Sequence, residues 1–419
     1  MTRPGDRAYC AAQRRGLLRF AQGSRHPAGF GWLDDRGTVD PSVPAQLWIT
    51  CRMTHVFSLG VLAGEEPAPG GPDHPALRDL AGHGVRALRT SFADPEYGGW
   101  FAAATSGGPA EPTKQAYGHA FVCLAAGSAV AARIPDADTL LEEALAVFED
   151  RFWDEEAGLV VDAWDRSWRE PDDYRGLNAN MHAVEALLAV GDVLGEDLWH
   201  RRAARIAARV LGWARANHWR IPEHFDASWR PLLEHNRDLP GDRFRPYGAT
   251  VGHGLEWARL LVAVEATLGG RAPAGLLEAA VALTDRAVSD GWRADGADGF
   301  IYTTDWDGSP VVRARMHWVL AEALNTALVL GRTTGDRRYD ALAERWWSYA
   351  DRHLVDRAHG SWWHELDPAN RPSARVWSGK PDVYHAYQAV LLPELPTAPS
   401  FARALRDRGP LVRTVREED

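Results

Sequence analysis

Histidine recurs along this chain at near-even intervals. His55, His119, His182, His253, His317 and His385 are separated by 64, 63, 71, 64 and 68 residues. Three of them have a polar group three residues on: Glu185 after His182, Glu256 after His253 and Gln388 after His385. On a helix, positions i and i+3 share a face. A carboxylate there can hold an imidazole in one tautomer and raise its basicity. Arg52 precedes His55 by three residues, Asn178 precedes His182 by four, and Glu322 follows Trp318 by four. A histidine's ordinary pKa near 6.5 suits it to take and return a proton around neutral pH. Any one such pair reads equally well as a surface ion pair or a satisfied core histidine. Six in one repeat point to a polar pocket that does acid–base chemistry.

Other chemistries lack their residues. There is no GxSxG elbow for a serine nucleophile and no GxxxxGK[ST] phosphate loop. His/Glu clusters can ligate zinc or manganese, but HExxH and HxH spacings are missing, so no metal and no cofactor are expected. Nineteen tryptophans offer apolar faces for core packing or for stacking on sugar rings.

Period-3.6 patterning gives about twelve helices of two alternating kinds. One kind is charged on one side, as in "RRAARIAARVLGWARAN" and "YDALAERWWSYADRHL". The other is smooth and alanine-rich, as in "QAYGHAFVCLAAGSAV" and "NANMHAVEALLAVGDVL". One-sided helices face solvent and helices apolar on most sides are buried. Strict alternation predicts six outer and six inner helices closed into an all-α (α/α)6 barrel. Loops with glycine and aromatics, such as "PEYGGWFAA" and "ADGFIYTTDWDG", predict short hairpins on one rim. The whole chain, 1–419, reads as a single catalytic domain, its charged tail from about 403 to 419 frayed.

Composition narrows the partners. At 45 % hydrophobic and 25 % charged residues the chain is an ordinary globular one. A formal charge of −10 without Lys/Arg-rich runs excludes a nucleic-acid footprint. No window approaches the 18 apolar residues of a membrane span, and the N-terminus lacks the apolar core of a secretion signal. Three cysteines without CxxC spacing read as reduced thiols in the cytoplasm. Monomer and homodimer are both open.

The stretches "CRMTHVF", "NANMHAVEALL", "RPYGATVGHGLEWARLL", "MHWVLAEAL" and "KPDVYHAYQA" together resemble the N-acylglucosamine 2-epimerase superfamily, and within it the bacterial mannose-isomerase and sulfoquinovose-isomerase branches. The resemblance runs from about "LWITCRMTH" to "YHAYQ". It implies an (α/α)6 barrel and interconversion of aldose and ketose, or epimerisation at C2, without metal or nucleotide. Carried over by motif, it implies His385 as the base at C1/C2 and His253 as the group assisting ring opening. Arg52 would lie near O1/O2, with Tyr117, Asn178, His182, Glu256, Trp318 and Glu322 around the sugar. Arg243 is a further sugar contact, with Arg245 as its rival.

On this reading the enzyme isomerises D-mannose and D-fructose, with D-lyxose a further candidate, through ring opening and a cis-enediolate. A sugar 2-epimerase is the alternative, since both outcomes use the same two histidines. A glycoside hydrolase built on Glu256 and Glu322 and a non-catalytic sugar-binding protein are weaker rivals.

Overall fold

The computed structural model describes residues 3–65 and 75–411. Six outer helices, α1 (Arg7–Ala21), α3 (Leu77–Thr90), α5 (Ala137–Val147), α7 (Asp197–Ala216), α9 (Leu276–Gly291) and α11 (Arg338–Tyr349), alternate with six inner ones. The inner set is α2 (Leu47–Ala63), α4 (Ala116–Ala131), α6 (Leu177–Leu194), α8 (Val251–Leu268), α10 (His317–Thr334) and α12 (Tyr384–Leu391). The patterning explains the layers. Along α3, Leu77, Leu80, Ala81, Val85 and Leu88 are buried while Arg78, Asp79 and Arg86 are exposed. In α4 almost every residue is buried. Neighbouring inner helices pack on one another, and α12 returns to touch α1 and α2, closing the (α/α)6 barrel.

The inner helices begin at one rim by a repeated device. The two residues before each of five inner helices form a strand that pairs antiparallel with the loop beyond the next outer helix. The pairs are Ala45–Gln46 with Ala103–Thr105, Lys114–Gln115 with Ala163–Trp164, Arg175–Gly176 with His224–Phe225, Ala249–Thr250 with Thr303–Thr304, and Arg315–Met316 with Glu365–Leu366. None of these helices has a side-chain N-cap, yet their first N–H groups must be satisfied. Leu47, Ala116, Leu177, Val251 and His317 donate theirs to the carbonyls of Ala102, Asp162, Glu223, Tyr302 and His364, at 2.8–3.1 Å. These five acceptors occupy one repeated position on the rim.

Buried cations fasten the loops. Lys114 reaches Asp94 and the Gly98 carbonyl, and Lys380 reaches Asp356 and the Gly360 carbonyl. Arg315 holds Asp295. At the opposite end a thirteenth helix, α13 (Phe401–Arg408), lies across α2, α4 and α6. The segment from 403 is thus not frayed at its start, because Ala402, Ala404 and Leu405 are buried there; positions 412–419 lie outside the described residues. Among the described residues no helix is long and apolar enough to cross a membrane.

Candidate active site

The second residues of the six inner helices lie at the strand-bearing rim, and all of them but Gly252 line one cavity there. These are Trp48, Tyr117, Asn178, Gly252, Trp318 and His385. One turn deeper, at i+4, follow Arg52, Phe121, His182, Glu256 and Glu322. Residues of both tiers line a cleft, open to solvent, with about 680 Å³ of empty space, whose walls carry Trp48, Tyr117, Phe244, Tyr302, Trp318 and Trp377 among polar groups. The aromatic rings offer flat apolar faces of the kind that pack on the C–H surfaces of a sugar. Gly252 is glycine for a steric reason: a Cβ there would lie 2.3 Å from the Trp318 ring. Its absence lets the indole rest against His253, ring centroids 5.2 Å apart, and it meets His385 at 5.8 Å.

Both flanking histidines are held the same way. His385 Nδ1 lies 3.0 Å from Glu322 Oε1, and His253 Nδ1 lies 2.9 Å from Glu223 Oε2. A carboxylate only accepts, so Nδ1 carries the hydrogen and donates it, leaving the Nε2 lone pair for the cavity. Burial pushes His385 below the usual imidazole range despite Glu322 beside it, so it is the free base at neutral pH. His182 donates from Nδ1 to Glu185 at 3.3 Å, and burial lowers it to about 4. His317 is lowered to about 3 by burial and by His385; it stacks on His364 at 3.8 Å, and its Nε2 has no protein partner.

Arg52 supplies fixed positive charge. Its guanidinium lies over Trp48, Phe121 and Tyr384 at 4.7–4.9 Å and donates to Asp382 at 3.3 Å and to the Tyr117 hydroxyl at 3.1 Å. Burial opposes its charge, but Tyr117, Asp382 and Tyr384 outweigh it. Below the cavity Glu185, Glu256 and Glu322 surround Arg259, whose Nε donates to Glu322 at 2.7 Å. Glu256 is pushed well above the ordinary carboxylate range by burial and by Glu322. Two groups bring donor atoms close enough to share a cation, His182/Glu185/Glu256 and Glu256/Glu322/His385. In both, the Arg259 guanidinium already stands within 4.0 Å of a carboxylate and occupies the electrostatic role an ion would take.

The family model of N-acylglucosamine 2-epimerase (GlcNAc 2-epimerase) matches residues 28–389. The chain belongs to this family. It is 49 % identical over 97 % of its length to a D-mannose isomerase of Thermobifida fusca, covering 98 % of that protein. It is 42 % identical to a D-mannose isomerase of Pseudomonas cannabina pv. alisalensis, over 96 % of each chain. A solved D-mannose isomerase superposes with a TM-score of 0.84 at 25 % identity, covering 93 % of this chain and 98 % of the other. The cellobiose 2-epimerase of Spirochaeta thermophila shares the fold, with a TM-score of 0.79 at 24 % identity over 96 % of each chain.

In this member of the family, Arg52, Tyr117, Asn178, His182, Arg243, His253, Glu256, Trp318 and His385 all line the one cavity. Glu322 does not: its side chain is fully buried behind His385 and touches it rather than the cavity. Between the rival arginines, Arg243 faces the cavity, its guanidinium over Trp377 and Trp32. Arg245 lies over Tyr174 and reaches Asp162 instead.

The expectation that all six histidines share one polar pocket is corrected. The six occupy different helix positions despite even chain spacing, because the loops between them differ in length. A change of one residue turns a side chain by roughly 100°. His119 faces outward, accepting the Trp100 N–H at 3.1 Å and packing on Phe152 and Trp168. His55 lies deeper, 2.7 Å from Ser128 Oγ, in a second cavity beyond the Arg259 layer. The expected short-range partners also differ. His253 pairs with Glu223 rather than Glu256, and Gln388 donates to Glu185 rather than serving His385. Glu223, Tyr302, His364, Asp382 and Arg259 join the site through the fold, with no spacing in the sequence that singles them out.

Proposed function

We propose that the chain is an aldose–ketose isomerase interconverting D-mannose and D-fructose, acting as a single catalytic unit without a resident metal or cofactor. The observation that carries this reading is the pair of histidines, each lining the aromatic-walled cavity beside Arg52 with Nδ1 fixed by a carboxylate and Nε2 left free. The relatives named D-mannose isomerase support the substrate.

A closed pyranose has no acidic proton at C2. In the proposed sequence the His253 Nε2 lone pair takes the O1–H proton and delivers it to O5 as the C1–O5 bond breaks, opening the ring to the aldehyde. His385 Nε2 then removes the C2 proton. Charge moves onto O1 of the resulting cis-enediolate, where Arg52 opposes it; one such preorganised donor supplies about 2.7–4 kcal/mol. Transfer of the O2–H proton to O1 and return of the proton held by His385 to C1 give the ketose, so the overall reaction moves protons only.

A hydrolase would need two carboxylates across a glycosidic bond, yet Glu322 is walled off by His385 and ion-paired to Arg259. The test is NMR of D-mannose with the protein in D2O and excess EDTA. Fructose as the first product, with deuterium entering from solvent, supports the reading. Glucose appearing before fructose makes the enzyme a 2-epimerase, and no turnover of mannose, fructose or lyxose overturns it.

A further inference from the structure

The isomerase reading accounts for the histidines and Arg52 but leaves one buried cation unused. Arg259 lies on α8, 6 % exposed, in the layer beneath the catalytic cavity, where it lines the second cavity on the other side. Its Nε donates to Glu322 Oε2 at 2.7 Å, while the other oxygen of the same carboxylate receives His385 Nδ1 at 3.0 Å. Its Nη2 stands 3.7 Å from Glu256 Oε1 and 4.0 Å from Glu185 Oε1 and has no hydrogen-bond partner. One guanidinium therefore serves three buried carboxylates.

Three ionised carboxylates against one cation in a dry layer would be strongly disfavoured, so a proton must reside on one of them. The partners decide which. Glu185 accepts from the Tyr384 hydroxyl, from Gln388 at 3.0 Å and from His182 at 3.3 Å. Glu322 accepts from Arg259 and His385. Glu256 Oε1 has no donor at all, and Glu256 is the one of the three, besides the edge of His182, that borders the cavity above.

We infer that Arg259 is a positioning residue of the reaction, which rests on the isomerase reading: it fixes Glu322 as the charged partner of His385 and leaves Glu256 as the carboxyl that presents its proton to the cavity. The basicity of His385 is then set two bonds of contact away, through Glu322. The protonated Glu256 becomes a hydrogen-bond donor for a sugar oxygen instead of a second anion beneath a developing enediolate. The directions of the shifts agree, Glu256 upward from burial and Glu322 downward once Arg259 and His385 outweigh burial.

The groups that share this layer are His182 and Glu185 from α6, His253, Glu256 and Arg259 from α8, His317 and Glu322 from α10, Tyr384 and His385 from α12, Arg52 and His55 from α2, and Asp382 and His364 from the rim. Removing the Arg259 charge raises the proton affinity of the coupled Glu322–His385 pair whichever of the two takes the proton. The acid limb of the pH profile, where the base is lost, must therefore move to higher pH.

The experiment uses the full-length protein with Arg259→Met and Arg259→Lys, each checked for folding by circular dichroism and thermal melting. Steady-state D-mannose turnover is followed from pH 4.5 to 9. The expected result is an acid limb raised by about one pH unit in R259M, the size of effect a charge at this distance exerts, with kcat down and KM little changed. R259K returns the limb toward its original position while recovering only part of kcat, because an ammonium lacks the planar fork. A limb unmoved in R259M overturns the inference even if kcat falls. The ¹⁵N resonances of His385, titrated without sugar, should show the same upward shift. That measurement tests the Arg259 inference even if mannose proves not to be the substrate.

Discussion

His253 and Glu223 are thirty residues apart in the chain and 2.9 Å apart in the fold. The contact exists because Glu223 stands at the rim position whose carbonyl receives the first N–H of α6, which delivers its carboxylate to the neighbouring inner helix. Glu223→Gln keeps the shape but replaces an anion with an amide that can present the wrong group to Nδ1. Carboxylate partners that orient an imidazole are typically worth roughly 10- to 100-fold in activity. E223Q should lower kcat by that factor with KM little changed, measured by steady-state mannose turnover. A wild-type kcat would remove Glu223 from the mechanism.

His385 is assigned the base, and positioned acid–base groups supply about 10²- to 10⁴-fold. His385→Asn should lose that factor in kcat while binding of the sugar, followed by calorimetry, stays within about threefold. The pH profile adds a sign. A base works only when unprotonated, and burial depresses His385 below the ordinary imidazole range. Activity of the unaltered enzyme should therefore persist below about pH 6.5, the ordinary histidine value. A limb at or above that value would mean that another group limits the rate.

Much of this arrangement was legible in the sequence because helices write their burial into a 3.6-residue period. The alternation of one-sided and smooth helices predicts the barrel, and the four-residue steps from Asn178 to His182 and from Trp318 to Glu322 already pair residues one helical turn apart. The pairing of charges was not legible. His253 selects Glu223, on a rim loop, over Glu256 on its own helix, because side chains facing the axis meet those of other elements first. A signal was nonetheless present: Ala102, Asp162, Tyr302 and His364 each follow a loop glycine (Gly99, Gly158, Gly299, Gly360) by three or four residues. Helix α13, short and within a charged stretch, carried too little periodicity to be separated from a tail.

Removal of divalent ions gives a further check. The donor clusters at Glu256 share their space with the Arg259 guanidinium, whose charge a dication would oppose. Dialysis against EDTA should leave kcat unchanged, and added manganese or zinc should not raise it. Loss of turnover on chelation, restored by one ion, would assign a ligand role to those side chains.

The rim that positions all of this rests on buried ion pairs, and Asp94 is the most enclosed of them. Its side chain and that of Lys114 are both 0 % exposed at 3.0 Å, and Arg166 closes the outer side at 2.8 Å. Burial pushes the Asp94 carboxyl up, but hydrogen bonds from Arg166 and Lys114 outweigh it and hold it far below the ordinary range. Burial meanwhile lowers Lys114 even with Asp94 beside it. Asp94→Asn would strand that ammonium, and breaking a buried pair from one side costs about 3–5 kcal/mol. The loss should appear as a lower Tm and a lower urea midpoint, while kcat at 25 °C stays near normal because neither Asp94 nor Lys114 lines the cavity. The pH dependence follows from the sign of the shift. A carboxylate depressed in the folded state adds stability above its unfolded value of about 3.9 and loses it as pH falls. The gap between wild type and D94N should therefore be full at pH 7 and narrow below about pH 4. Replacing both partners, as Asp94→Leu with Lys114→Met, should recover most of the loss, since no charge is then left buried. A double variant as unstable as D94N would show that the rim depends on the ion pair itself rather than on filling its volume.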